Sequence, residues 1–460
     1  MEVGKTPTPI ASDLPMHVHR CAYAPRRHAP DSDTARGAMT RRSVTDRPYS
    51  ALNRMPRSAA SSVDVPRSAG SPRAVSRPAT IRTVQVGMHW TAGGAGSGVD
   101  RVFHALVHQL PRHDVTVDGL VVAADAEPPA GIHTLAAPDA SLVDRLRALR
   151  DWGRQHLSDG GPDLVATHFP LYAAPLLDLM PPRPLVVHFH GPWALESKAE
   201  GESWGQVRAK RWLERRVYRR GTRFIVLSKA FQQLLTEEYG VDPERIHIVP
   251  GGVDLERFAV TLPPDEARRR LGWDPDRPTL LSVRRLVQRV GLEPLVDAMR
   301  LVARAVPDAQ LLIAGKGPLA PALKQRIDAN GLRDTVRLLG FVPDADLPLA
   351  YAAADASVVP TQALEGFGLV AAESLAAGTP AFVTPVGGLP DVVAPLSPDL
   401  VMADTTESAI AARLIAALRG TLNVPTADAC RRYAAERFDW AVVARTIRSV
   451  YEDALSNPRS

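Results

Sequence analysis

Residues 356–391 read ASVVPTQALEGFGLVAAESLAAGTPAFVTPVGGLPD. Ala356–Val359 is a short apolar run rich in β-branched side chains, and residues 368–377 are helix formers closed by Gly378 and Pro380. Residues 381–384 form a second apolar run. The order strand, loop, helix, strand predicts a crossover unit between two parallel strands. In an open parallel sheet, ligands collect beyond the carboxyl ends of the strands, where residues 360–367 fall.

That loop has the composition of an anion site flanked by hydroxyl acceptors. Gly366 and Gly368 let a ligand approach the backbone, and the amides of Gly366, Phe367, Gly368 and Leu369 at the helix start suit a phosphate. Glu365 and Glu373 stand eight residues apart. If that interval is mostly helical they are roughly 12 Å apart along the axis, about the span from a hexose across a diphosphate to a ribose. A carboxylate accepts two sugar hydroxyls at once. A bare E-x7-E is more often a solvated helix face; the glycines and the preceding strand favour the site.

The stretch resembles the donor-site signature of the retaining glycosyltransferases of family 4, and ordered motifs extend the resemblance over nearly all of residues 81–455. The resemblance implies an α/β protein of the GT-B fold, with two Rossmann-like, doubly wound parallel-sheet domains facing a central cleft. It implies that Glu365 contacts the donor sugar and Glu373 the ribose, with Gly366, Phe367, Gly368, Leu369 and Val370 completing the donor-binding set. The implied reaction moves a hexosyl-type sugar from a nucleotide diphosphate donor to an acceptor hydroxyl with retention of configuration. A UDP-sugar is the first choice of donor and a GDP-sugar the second. The alternatives are a nucleotide-sugar-binding protein without transferase activity and another GT-B enzyme such as an epimerase.

The 460 residues exceed one ordinary domain, and 45% apolar residues suffice for two cores. Residues 1–80 hold 13 Lys and Arg against 6 Asp and Glu, leaving 42 against 44 in the remainder. A near-neutral body with a basic tail argues against nucleic acid as a partner. The tail is rich in Pro, Ser, Ala and Arg without apolar periodicity, and is expected to be disordered. A basic arm touching acidic lipid or a partner is one alternative; a start at Met39 or Met55 is another. Cys21 and Cys430 exclude a disulfide framework, no apolar run reaches membrane-spanning length, and no signal peptide is legible, so a cytoplasmic location is expected.

Residues 81–88 predict the first strand and TAGGAGSGVD a glycine turn, followed by a helix with one apolar face. Gly94, Gly96 and Gly98 do not complete the dinucleotide fingerprint. The stretch resembles instead the family's first-loop motif, which places Gly98 against the donor diphosphate. Strands are expected at 116–122 and 164–167, with a helix over 141–156 between them. In PLVVHFHGPWALES, residues 185–189 predict a buried strand with His190 at its carboxyl end. By resemblance His190 lies near the donor sugar. His188 reads as a satisfied core histidine, with no third metal ligand nearby.

Residues 204–223 predict a strongly basic helix. It reads as a solvated face with Val207, Trp212 and Val217 packed inward, the alternative being peripheral contact with an anionic membrane at the inner face. PGGVD at 250–254 resembles the family's interdomain turn, with Gly251 in place of Asn. The expected organisation is a tail over 1–80, a first domain over 81–257 completed by a helix over 438–460, and a donor domain over 258–437.

In SVRRLVQRVG the resemblance places Arg285 against the diphosphate, while the family's second cation falls on Val290. Arg289 or Arg284 is the expected substitute. Phe341 and Val342 resemble the base-binding edge. GKGP at 315–318 is too short for a P-loop, and Asp344 and Asp346 are expected to cap a helix rather than hold a metal. The catalytic set is therefore His190, Arg285 and Glu365, in one pocket shared with Glu373 and with no metal or other cofactor.

Overall fold

The structure is a computed structural model, and it describes residues 80–91, 97–124, 127–137, 139–157, 160–180 and 183–457. The tail lies outside the described residues, as do Gly94 and Gly96. The first sheet takes in β1 (Ile81–Val86), β3 (Val115–Val121), β5 (Ile132–Thr134), β6 (Leu164–Thr167), β7 (Leu185–Phe189), β8 (Arg223–Val226) and β9 (Ile246–Ile248). Two short strands, β2 (His89–Trp90) and β4 (Ala123–Ala124), pair beside it. Its order is β5-β3-β1-β6-β7-β8-β9 and every pairing is parallel.

The second sheet comprises β10 (Thr279–Val283), β11 (Gln310–Ala314), β12 (Val336–Gly340), β13 (Ala356–Val359) and β14 (Ala381–Val383). Its order is β12-β11-β10-β13-β14, again all parallel. Strands buried on both faces are mostly apolar, as LVVHF and ASVV are; IRTVQV is buried except at Arg82 and carries the buried polar side chains of Thr83 and Gln85. In each sheet the winding reverses beside the central strand: between β1 and β6 in the first and between β10 and β13 in the second. Crevices at such reversals take ligands.

Separate apolar cores lie under the two sheets. A further cluster joins Ile81, Leu164, Val186 and Ile225 of the first sheet to Val443, Ile447 and Tyr451. The Trp440–Ser456 helix thus covers the first sheet although it follows the second in the chain. The helix expected from residue 438 starts at Trp440; Asp439, whose side chain accepts from Ala441 N at 2.8 Å, parts it from the preceding Ala427–Phe438 helix. The first strand ends two residues early at Gly87, where a Cβ would meet the Phe103 ring at 2.8 Å. The basic helix ends at Arg220, and Arg223 enters β8 with its guanidinium against Asp453.

Candidate active site

The loop after β13 is held in a tight conformation. Leu364 takes a φ of 54°, rare without glycine, and Gly368 takes 86°. Gly387, at φ 58°, leaves no room for a Cβ, which would lie 1.9 Å from Glu365 O, and Gly388 N donates to that carbonyl at 3.0 Å. The Leu369–Ala377 helix begins here, and its first paired amide is Ala371 N, to Gly368 O at 2.8 Å. Among the described residues, no amide of Gly366, Phe367, Gly368, Leu369 or Val370 donates to a protein acceptor. Five adjoining free donors at the positive end of a helix form an anion cradle. The Phe367 side chain is core, against Phe438 and under Gly251, where a Cβ would meet its ring at 2.9 Å. Only its amide faces the cradle.

Arg284, not Arg285, is brought against Glu365. Its Nη2 donates to Glu365 Oε2 at 2.6 Å and to Thr361 Oγ1 at 2.9 Å. Arg284 N still bonds Ala314 O at 2.9 Å, so the chain stays extended one residue past β10 and the next side chain points the other way. Arg285 is exposed. Val290 is buried, and Arg289 Nη1 donates to Leu364 O at 3.1 Å, fastening the residue just before Glu365.

Glu373 points from the next helix turns into a cavity of about 730 Å3 shared with Arg101, His108, Arg257, Asp344 and Trp440. It is 5% exposed. Burial pushes its carboxyl up to about 7, against the opposing pull of Arg101 and Arg257. Arg101 Nη1, from the Gly98–Gln109 helix of the first lobe, stands 3.7 Å from Glu373 Oε1, and Tyr351 Oη lies at 3.4 Å. Asp344 accepts from Arg101 Nη2 at 3.2 Å and Asp346 makes no side-chain cap, so the expected capping role fails. Glu365 and Arg285 line neither this cavity nor the one beside His190. The expected single pocket is therefore two spaces, with the anion cradle on the loop and helix start that join Glu365 to Glu373.

Gly98 opens its helix beside the Ser97–Asp100 capping box, and a Cβ there would touch nothing within 4 Å. Phe341 is 61% exposed under Lys316 Nζ, 5.2 Å from its ring, while Val342 rests on the second core. Lys316 and Phe341 thus form one exposed edge of the second lobe.

His190 ends a buried chain of hydrogen bonds. Gln85 Nε2 donates to Tyr451 Oη at 2.9 Å and to Thr83 Oγ1 at 3.1 Å, which leaves Gln85 Oε1 to accept from His168 Nε2 at 3.2 Å. Burial holds His168 well below the usual histidine range, so it is neutral and accepts the Nε2–H of His190 at Nδ1, 3.0 Å away. Burial also lowers His190 to about 4, with Asp100 opposing. The nitrogen His190 offers to the cleft is therefore a lone pair on Nδ1. His188 receives the Tyr451 hydroxyl at 2.9 Å, as a satisfied core histidine does. His168 adds the third histidine that spacing alone did not show, yet no group fit to hold a metal occurs among the described residues.

A sequence model for Glycosyltransferase Family 4 matches residues 96–257, and one for Glycosyl transferases group 1 matches residues 264–437. The D-inositol 3-phosphate glycosyltransferase of Segniliparus rotundus is 36% identical over 48% of this chain and 50% of its own length. The mannosylfructose-phosphate synthase of Agrobacterium fabrum is 34% identical over 38% of this chain and 40% of its own. The chain thus spans half or less of these two relatives. The phosphatidyl-myo-inositol mannosyltransferase of Mycobacterium leprae is 31% identical over 75% of this chain and 86% of its own. Among solved structures, sucrose-phosphate synthase from Thermosynechococcus elongatus superposes with a TM-score of 0.68 at 22% identity, over 82% of this chain and 99% of that one. Anabaena HepE in complex with UDP gives 0.64 at 20%, over 81% and 100%. These likenesses show the GT-B fold. With both sequence models in order and a relative matched over most of its length, the chain belongs to the family 4, group 1 glycosyltransferases.

Proposed function

We propose that the protein transfers a hexosyl-type sugar from a nucleotide diphosphate donor to an acceptor hydroxyl, with retention of configuration. The observation that carries this reading is the run of five unpaired amides from Gly366 to Val370, flanked by the Arg284–Glu365 pair and by buried Glu373. The leaving diphosphate gains charge as the glycosidic bond breaks, and fixed amide dipoles with Arg284 meet that charge without reorganising. The reading assigns no step to a metal or other cofactor. Glu365 accepts hydroxyls of the donor sugar, Glu373 those of the ribose, and Phe341 with Lys316 offers a face to the base. UDP is the first choice, since a structural neighbour is solved with UDP-glucose; a relative named as GDP-mannose-dependent keeps GDP as the second. Calorimetric titration of UDP, GDP and ADP, followed by product analysis with the matching sugar nucleotides, tests the reading.

The same reading keeps the enzyme cytoplasmic and sets it against an anionic membrane through the Trp204–Arg220 helix. Trp212, expected to pack inward, is 62% exposed and Trp204 is 75% exposed. Arg208, Arg211, Arg215, Arg216 and Arg219 border a shallow groove of about 580 Å3 beside Trp212. Outward tryptophans among arginines favour an interfacial helix over a merely solvated one. No helix among the described residues is long and apolar enough to cross a membrane.

A further inference from the structure

Glu196 stands across the cleft from the anion cradle, and the donor reading gives it no task. It lies on the Trp193–Ala199 helix, six residues after His190, and both line a cavity of about 90 Å3 with Phe169 and Trp193. Its carboxylate folds back over the backbone next to His190: a Cβ on Gly191 would sit 2.8 Å from Glu196 Oε1. Arg289, Arg285 and Glu365 of the second lobe all act on it electrostatically. Among the described residues no donor bonds the carboxylate, although the side chain is half-buried.

Glu214, on the neighbouring basic helix, shows the contrast. It is fully buried, but Tyr239 Oη donates to it at 2.7 Å and Ala194 N at 3.4 Å, so it is a structural acid holding the start of the Glu196 helix. A carboxylate partly withdrawn from water and without protein donors is poised to accept hydrogen bonds from a ligand.

We propose that Glu196 is an acceptor-binding residue, and that it takes hydroxyls of a neutral polyhydroxylated ring while disfavouring a phosphate at that end. This rests on the donor reading only in taking the cleft as the place of transfer. The cavity contains no lysine or arginine, and His190 is held neutral with its lone pair outward. Arg285 and Arg289 act on Glu196 from the second lobe and Lys210, over the Trp193 ring, is bound to Glu202, so the two acceptors that line the cavity favour hydrogen-bond donors, which hydroxyls are and phosphate oxygens are not. The Phe169 and Trp193 rings, 5.0 Å apart, offer apolar faces of the kind sugar C–H groups cover.

The test measures binding of D-mannose, D-glucose and myo-inositol against D-mannose 6-phosphate and D-inositol 3-phosphate by saturation-transfer NMR and calorimetry. The full chain is used with and without saturating UDP, as wild type, Glu196→Gln and Glu196→Ala, each checked for folding by circular dichroism. At least one neutral ring should bind wild type about tenfold more tightly than its phosphate, and both variants should lose about tenfold for that ring while keeping the wild-type affinity for UDP. Phosphates binding as tightly as their parents, no neutral ring binding at all, or neutral-ring affinity unchanged in both variants would each overturn the assignment. A wild type that fails to bind UDP counts against the donor reading instead, and the nucleotide-free arm still decides the role of Glu196.

Discussion

His190 Nε2 lies 3.0 Å from His168 Nδ1, and the proton between them belongs to His190. The two histidines directly follow neighbouring strands β6 and β7, and the amide of Gln85 on β1 sets the direction of the whole chain. Gln85→Leu frees His168 to donate from Nδ1, which turns the His190 ring to its other tautomer. Turnover should fall about tenfold with nucleotide affinity unchanged. Steady-state kinetics beside a UDP titration check this; unchanged kcat would show that the tautomer is immaterial.

Arg284 and Arg285 separate the structural reading from the one made on sequence alone. Arg284→Ala removes the cation beside Glu365, and kcat/KM should drop about 10² to 10³-fold. Arg285→Ala, at an exposed position, should stay within about tenfold. A larger loss at Arg285 than at Arg284 would reverse the assignment.

Glu373 ties stability to pH. Its folded value of about 7 lies above the ordinary 4.5, so the native state holds that proton more tightly than the unfolded chain. The resulting stabilisation is complete below the unfolded value and is lost as pH rises through about 7, by at most ~3 kcal/mol. Glu214, pushed up to about 7 by burial, acts in the same direction. Urea unfolding should give lower stability at pH 8 than at pH 5, with a smaller difference in Glu373→Gln. A steeper or equal pH dependence in that variant would contradict the assignment.

The outward tryptophans predict binding to phosphatidylglycerol vesicles, not to phosphatidylcholine vesicles, with a blue shift in tryptophan emission. Trp204→Ala with Trp212→Ala should weaken vesicle binding about tenfold or more, because both exposed rings lose their place at the interface. Equal binding by the double variant would assign the helix to solvent.

What could be read in advance follows from the range of the physics. Gly368, Gly378 and Gly387 mark local backbone needs, all three at positive φ, and so residues 356–391 gave up their strand, cradle and helix directly. The two-lobed fold was legible through the family resemblance of the ordered motifs over residues 81–455. Arg284 was named only as a substitute for the second cation and Arg285 was put first, because adjacent arginines differ only in which side of an extended chain they take. His168 and Glu196 carry no motif; one depends on the register of β6 with β7, the other on a backward fold over Gly191. The facing of Trp212 was ambiguous because arginines run round most of its helix, and the last helix starts at Trp440 rather than at 438 because Asp439 caps it.

The most direct measurement is a calorimetric titration of UDP, GDP and ADP into the wild type, Arg284→Ala and Glu373→Ala. The account predicts saturable one-to-one binding of at least one of these nucleotides, weakened about thirtyfold or more, near 2 kcal/mol, by each substitution. Binding of none of the three, or binding that survives both substitutions unchanged, would contradict it.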